Sequence, residues 1–214
     1  MKKILGRALM ALGLILVLVA TWLLMTNRQE DARAGESAAQ VLEAMETLET
    51  APGAPTPAAD ATQATPEQEM TVQTIDGREY IGTLLVPALG LELPVLSEWS
   101  YDGLKIAPGR FSGSTFTDDL TVCAHNYAAH FGRLHTLEPG TEIDFRDMDG
   151  MVWTYQISEI TELGPMDTDE MTLKTPEDTW SLTLFTCTPG GQTRVTVRCE
   201  RTGILTDRKT PSES

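Results

Sequence analysis

From Ala8 to Met25 the chain carries no charge and almost no polar side chain, an apolar run of eighteen residues. As a helix rising 1.5 Å per residue it spans about 27 Å, close to the roughly 30 Å of a bilayer's hydrocarbon core. Lys2, Lys3 and Arg7 precede it, and Trp22 near its end suits the interface. The excess of positive charge on the N-terminal side places the N-terminus in the cytoplasm and the body outside. A cleaved signal peptide is the rival reading, with Ala32-Arg33-Ala34 as a cleavage site. That tripeptide lies beyond several charged residues, and the run is long for a signal sequence. Residues 1–26 are therefore expected to be a cytoplasmic tip and a single-pass plasma-membrane anchor.

The next segment, 27–69, is rich in Ala, Thr, Pro, Glu and Gln. Ser37 and Gln40 fit a capping box, and Val41, Leu42, Met45 and Leu48 fall on one helical stripe, which predicts a short juxtamembrane helix. Pro52, Pro55, Pro57 and Pro66 make the remainder a semi-extended spacer without a core. The segment reads as an acidic stalk holding a folded domain off the membrane.

The folded domain is expected over 70–205, with a disordered tail at 206–214. Short apolar runs punctuated by Gly and Pro occur at 80–87, 91–96, 119–124, 142–145, 151–163, 180–187 and 193–201. So many close strands predict a mainly β domain, a compact barrel or sandwich. Short helical pieces are expected near 101–106 and 127–135. The net charge of −15 excludes a nucleic-acid partner, whose phosphates require a basic face. Three cysteines are too few and odd in number for a disulfide framework, and no zinc-ligand spacing occurs.

One cysteine stands out. Cys187 ends the strand 182–187 and is followed by the turn Pro189-Gly190-Gly191-Gln192. The turn predicts an antiparallel return strand in which Arg194, Thr196 and Arg198 share one face and Val195, Val197 and Cys199 the other. A guanidinium thus comes close to a strand-end thiol. His125 ends another apolar strand, 120–124, beside a loop. His130 and His135 follow it and read as surface or partly packed histidines. Cys123 shares the strand parity of His125 but lacks an adjoining turn and arginine.

Thr183-Leu184-Phe185-Thr186-Cys187 resembles the nucleophile strand of sortases. His125 in Ala124-His125-Asn126 matches that family's strand-end histidine, and Arg194 its arginine, with Arg198 as the fallback. Residues 81–91 resemble the first strands of a sortase barrel. The resemblance implies a closed eight-stranded β-barrel with short helices. It also implies a cysteine transpeptidase with catalytic Cys187, His125 and Arg194, and with Thr186 helping to bind substrate.

The partners implied are secreted proteins bearing a C-terminal sorting signal of the LPxTG kind and an amine acceptor of the cell wall. A substrate groove bounded by 164–178 is expected, and no cofactor. Some family members bind calcium with acids in that segment, but Asp167, Asp169 and Glu170 match no calcium loop. An aromatic lid motif before the domain and a second apolar span after it are both missing, which disfavours the pilus-building subgroup. The competing readings are a thiol hydrolase on the same fold and a non-catalytic tethered β-domain.

Overall fold

The computed structural model describes residues 2–49 and 68–206. The proline-rich part of the expected stalk and the tail from 207 lie outside the described residues.

Helix α1 runs without a break over Lys2–Glu49. A separate membrane helix and a short juxtamembrane helix are therefore one element. From Leu9 to Met25 it is apolar and exposed. Its second half lies on the β domain and buries Ala34, Ala38, Val41 and Met45. Of the helical stripe read from the sequence, Val41, Leu42 and Met45 form a packing face, while Leu48 is exposed. Val41 and Met45 cluster with Ile75, Tyr80, Leu96 and Ala107. Within the expected stalk, Ala38, Val41 and Met45 thus have apolar partners on the barrel.

The strands are β1 (Gln73–Ile75), β2 (Arg78–Val86), β3 (Leu91–Leu96), β4 (Gly109–Ser112), β5 (Leu120–Ala124), β6 (Glu142–Asp147), β7 (Met151–Leu163), β8 (Leu182–Cys187) and β9 (Arg194–Thr206). Their order is β1-β2-β3-β4-β5-β8-β9-β7-β6, and β6 pairs back onto β2. Eight strands, β2 to β9, thus close a ring, and β1 hangs on β2 outside it. At the closure Gly82 is required: at its φ of 155° a Cβ would lie 2.2 Å from the Arg146 carbonyl oxygen.

Alternation along each strand sends one set of side chains into the ring. Leu120, Val122 and Ala124 of β5 meet Leu182 and Leu184 of β8, Val195, Val197 and Cys199 of β9, and Trp153, Tyr155 and Ile157 of β7. The predicted faces of the β9 strand are the observed ones. Single 3-10 turns at Gly103–Lys105 and Leu134–Thr136 stand where short helical pieces were expected. The segment 164–178 contains the five-residue helix α2 (Thr168–Thr172).

Candidate active site

Strands β5 and β8 are parallel neighbours in the register Ala124↔Thr186. His125 and Cys187 each stand one residue further along, so they leave adjacent strand ends on the same, outward face. Strand β9 returns antiparallel with Cys187 directly opposite Arg194. Directly opposed residues of an antiparallel pair project to the same side, with Cβ atoms about 5 Å apart. The fold therefore assembles a thiol, an imidazole and a guanidinium from three neighbouring strands. Arg198 lies opposite Thr183, four residues along the strand, or roughly 14 Å from the Cys187 level.

Cys187 and His125 are both half-buried. Of the three cysteines, only Cys187 reaches solvent. Burial pushes the Cys123 thiol up to about 12, and it pushes Cys199 higher still. Neither supplies a thiolate at neutral pH. His125 is held below the usual imidazole range, first by burial and then by the positive charge of Lys105, with Glu30 opposing. Its ring centroid lies 5.1 Å from that of Tyr127.

The Arg194 guanidinium folds onto the hairpin turn, where Nη1 donates to the Gly191 and Thr193 carbonyls at 3.2 and 3.1 Å. Arg198 is engaged elsewhere. It lies over the Trp180 ring at 4.9 Å and donates through Nη2 to the Glu170 carbonyl, tying α2 to the barrel. Thr186 is buried on the core side, and its hydroxyl donates to the Ala124 carbonyl at 2.8 Å. That bond joins the strand of Cys187 to the strand of His125.

His130 is fully buried, where the sequence predicts a surface or partly packed residue. Its ring faces the backbone of Ala34 and Ile106 without reaching hydrogen-bond geometry, and burial pushes it down to about 4. His135 is exposed, with Nδ1 3.0 Å from the Gly132 carbonyl oxygen.

Behind Cys187 the outward face is roofed. Cys123 and Phe185 pack with Leu104 and Met171, flanked by Phe111 and Leu163. An aromatic series continues outward from Phe185 to Phe111 at 5.3 Å, then to Trp99 at 5.5 Å and Tyr101 at 5.6 Å. A cleft of about 320 Å³ opens there, lined by Ser97, Trp99, Arg110 and Phe111 among others. The acids of 164–178 serve local turns: Asp167 accepts from the Gly164 amide and Asp178 from Thr175. Among the described residues no group of three or more His, Cys, Asp or Glu side chains is placed to hold a metal ion.

The neighbours of His125 could not be read from the sequence. Glu30 acts on it only because α1 docks there, and the Asp31 Oδ1 accepts from the Ala129 amide at 2.8 Å. Lys105 comes from a turn between β3 and β4.

The ring of strands brings the thiol of Cys187, the imidazole of His125 and the side chain of Arg194 to adjoining strand ends. The sortase domain model matches residues 84–202, more than half of the chain's 214 residues, and the protein belongs to the sortase family. Members of this family are cysteine transpeptidases, and this chain is one by family and fold. Comparison with curated proteins finds no match.

Among solved structures, sortase C of Streptococcus pneumoniae is similar with a TM-score of 0.58 at 22% identity, covering 79% of this chain and 99% of that one. Sortase C1 of Streptococcus agalactiae aligns with a TM-score of 0.53 at 24% identity, covering 61% and 71%. A sortase D5 transpeptidase of Clostridium perfringens aligns at 0.50 and 23% identity, covering 58% and 79%. At these identities the likeness is one of fold.

Proposed function

We propose that the chain is a membrane-anchored transpeptidase that cleaves a C-terminal sorting signal of the LPxTG kind in secreted proteins. It then transfers the acyl group to an amine of the cell wall. The observation that carries this reading is the register: Cys187 opposite Arg194, with His125 one step beyond Ala124↔Thr186.

In the first step the Cys187 sulfur, having given its proton to neutral His125, attacks the carbonyl carbon of the scissile bond. The C–N bond breaks, and the imidazolium returns the proton to the leaving amine. The resulting thioester is attacked by the acceptor amine. His125 takes the proton of that amine, the C–S bond breaks, and the proton restores the thiol. Nη1 of Arg194 is occupied by the turn carbonyls, and its remaining N–H groups are the donors assigned to the oxyanion. Thr186 acts as a positioning residue that fixes the spacing of the two strand ends. The cleft beside Trp99 and Phe111 reaches the outward face of β8 through the Phe111–Phe185 ring contact and is assigned to the sorting peptide. The apolar helix and the charges before it support an outward-facing domain.

The full-length chain in detergent, incubated with a panel of sorting-signal peptides and an amine acceptor, should give a Cys187-linked acyl adduct and an amide product by mass spectrometry. Cys187→Ala should give neither. Product formed only as free acid, whatever amine is added, would instead identify a thiol hydrolase.

A further inference from the structure

Helix α1 meets the barrel in a fixed order. Asp31 bonds the Ala129 amide, and Ala34 faces His130. Gly35 lies under Ala129, where a Cβ would come within 3.2 Å of the Ala129 Cβ. Further on, Val41 and Met45 join Ile75, Tyr80 and Leu96, and the Met45 sulfur meets the Thr83 hydroxyl at 3.7 Å. The helix therefore crosses the barrel from the loop after His125 toward the β1–β2 end. In the other direction it continues unbroken into the exposed apolar stretch that ends at Met25. At 1.5 Å per residue, Asp31 stands about 9 Å beyond Met25, and Met45 about 30 Å.

We infer that the end of the barrel carrying His125 rests on the lipid headgroup layer, with residues 126–128 and the turn bearing Lys105 facing the membrane. The active site then opens close to the membrane surface, held by a continuous helix. The turn that approaches Glu30 carries Lys105 and the 75% exposed Tyr101, a lysine and an aromatic of the kind that suits an interface. Attraction to anionic lipid cannot drive this contact for a chain of net charge −15. The helix imposes it. The inference rests on the reading of α1 as a membrane anchor and is independent of the catalytic assignments.

The test uses the full chain with Cys187→Ala, in which Cys123 and Cys199 are buried from label. A bimane fluorophore is attached at Ala128→Cys, Thr74→Cys or Leu16→Cys, each an exposed position. The chain is reconstituted in phosphatidylcholine vesicles doped with nitroxide lipid, labelled in the headgroup or in the acyl chain. The expected result is acyl-chain quenching at Leu16 and headgroup quenching several-fold stronger at Ala128 than at Thr74. A flexible Gly/Ser segment inserted between Asn27 and Arg28 should bring Ala128 to the level of Thr74 and leave Leu16 unchanged. Equal quenching at Ala128 and Thr74 without the insertion would overturn the inference while leaving the anchor intact. No quenching at Leu16 would remove the anchor reading and the inference with it.

Discussion

At the level of single residues, the two arginines of β9 separate by their neighbours. Arg194 stands opposite the thiol, whereas Arg198 is committed to Trp180 and the Glu170 carbonyl. Arg194→Ala is expected to lower kcat/KM about 10²- to 10³-fold with little change in thermal midpoint, the magnitude of a lost oxyanion donor. Arg198→Ala should leave kcat/KM within a few-fold and lower the thermal midpoint instead. The reverse pattern would hand the role to Arg198. His125 offers a second measurement. Burial and Lys105 depress it, and Glu30 opposes them. If it enters the cycle neutral, activity is lost as pH falls through its folded pKa. Lys105→Met removes a depressing charge, so the acid limb of the kcat/KM profile should move to higher pH. Glu30→Gln removes the opposing charge and should move it to lower pH. Shifts of the same sign in both variants would exclude His125 as the titrating group.

Single elements show which parts of the chain announce themselves. Strands β2, β3, β5, β6, β7, β8 and β9 were legible because each has an apolar run bounded by Gly, Pro or polar turns. Strands β1 and β4 were not, since three or four residues carry too little periodicity to register. The Cys187–Arg194 hairpin was legible because a local turn sets its register. The parallel β5–β8 pair was not, because the pairing joins segments some sixty residues apart. Helix α1 is the instructive case. Its stripe at Val41 and Met45 was visible, but a stripe does not name its partner. The docked helix also traps His130, whose pKa of about 4 lies below an ordinary histidine's 6.5. Between those values the unfolded chain takes up a proton that the folded chain refuses, so stability falls as pH drops from 6.5 toward 4. The loss approaches about 3 kcal/mol at the lower end. His130→Phe should therefore weaken the fall in thermal midpoint between pH 7 and pH 4.5 relative to the parent. An unchanged pH dependence would mean that His130 is not the group responsible.

For the molecule as a whole, the distal half of α1 belongs to the catalytic domain's packing, which decides where the soluble unit begins. Ile75, Tyr80, Leu96 and Ala107 are buried in a cluster with Val41 and Met45. A chain starting at residue 70 would bare that face. It would also free the Ala129 amide from Asp31, beside the loop that carries His125. Full burial of a Val or Met side chain contributes about 1.5–3 kcal/mol, so losing both, with Ala34 and Ala38, should cost about 3–6 kcal/mol. For a domain of this size that corresponds to a thermal midpoint lower by about 10–20 °C. A chain starting at residue 28 keeps the packing and omits the exposed apolar stretch, so it should be soluble and match the full-length midpoint. Calorimetry of the two shortened chains decides the matter. Equal midpoints would mean that α1 lies on the barrel without stabilising it, whereas the expected difference makes residues 28–49 part of the domain. The shorter chain should also lose peptide turnover with its KM, because the 126–130 loop loses its anchor while Cys187 and Arg194, paired across β8 and β9, remain in place.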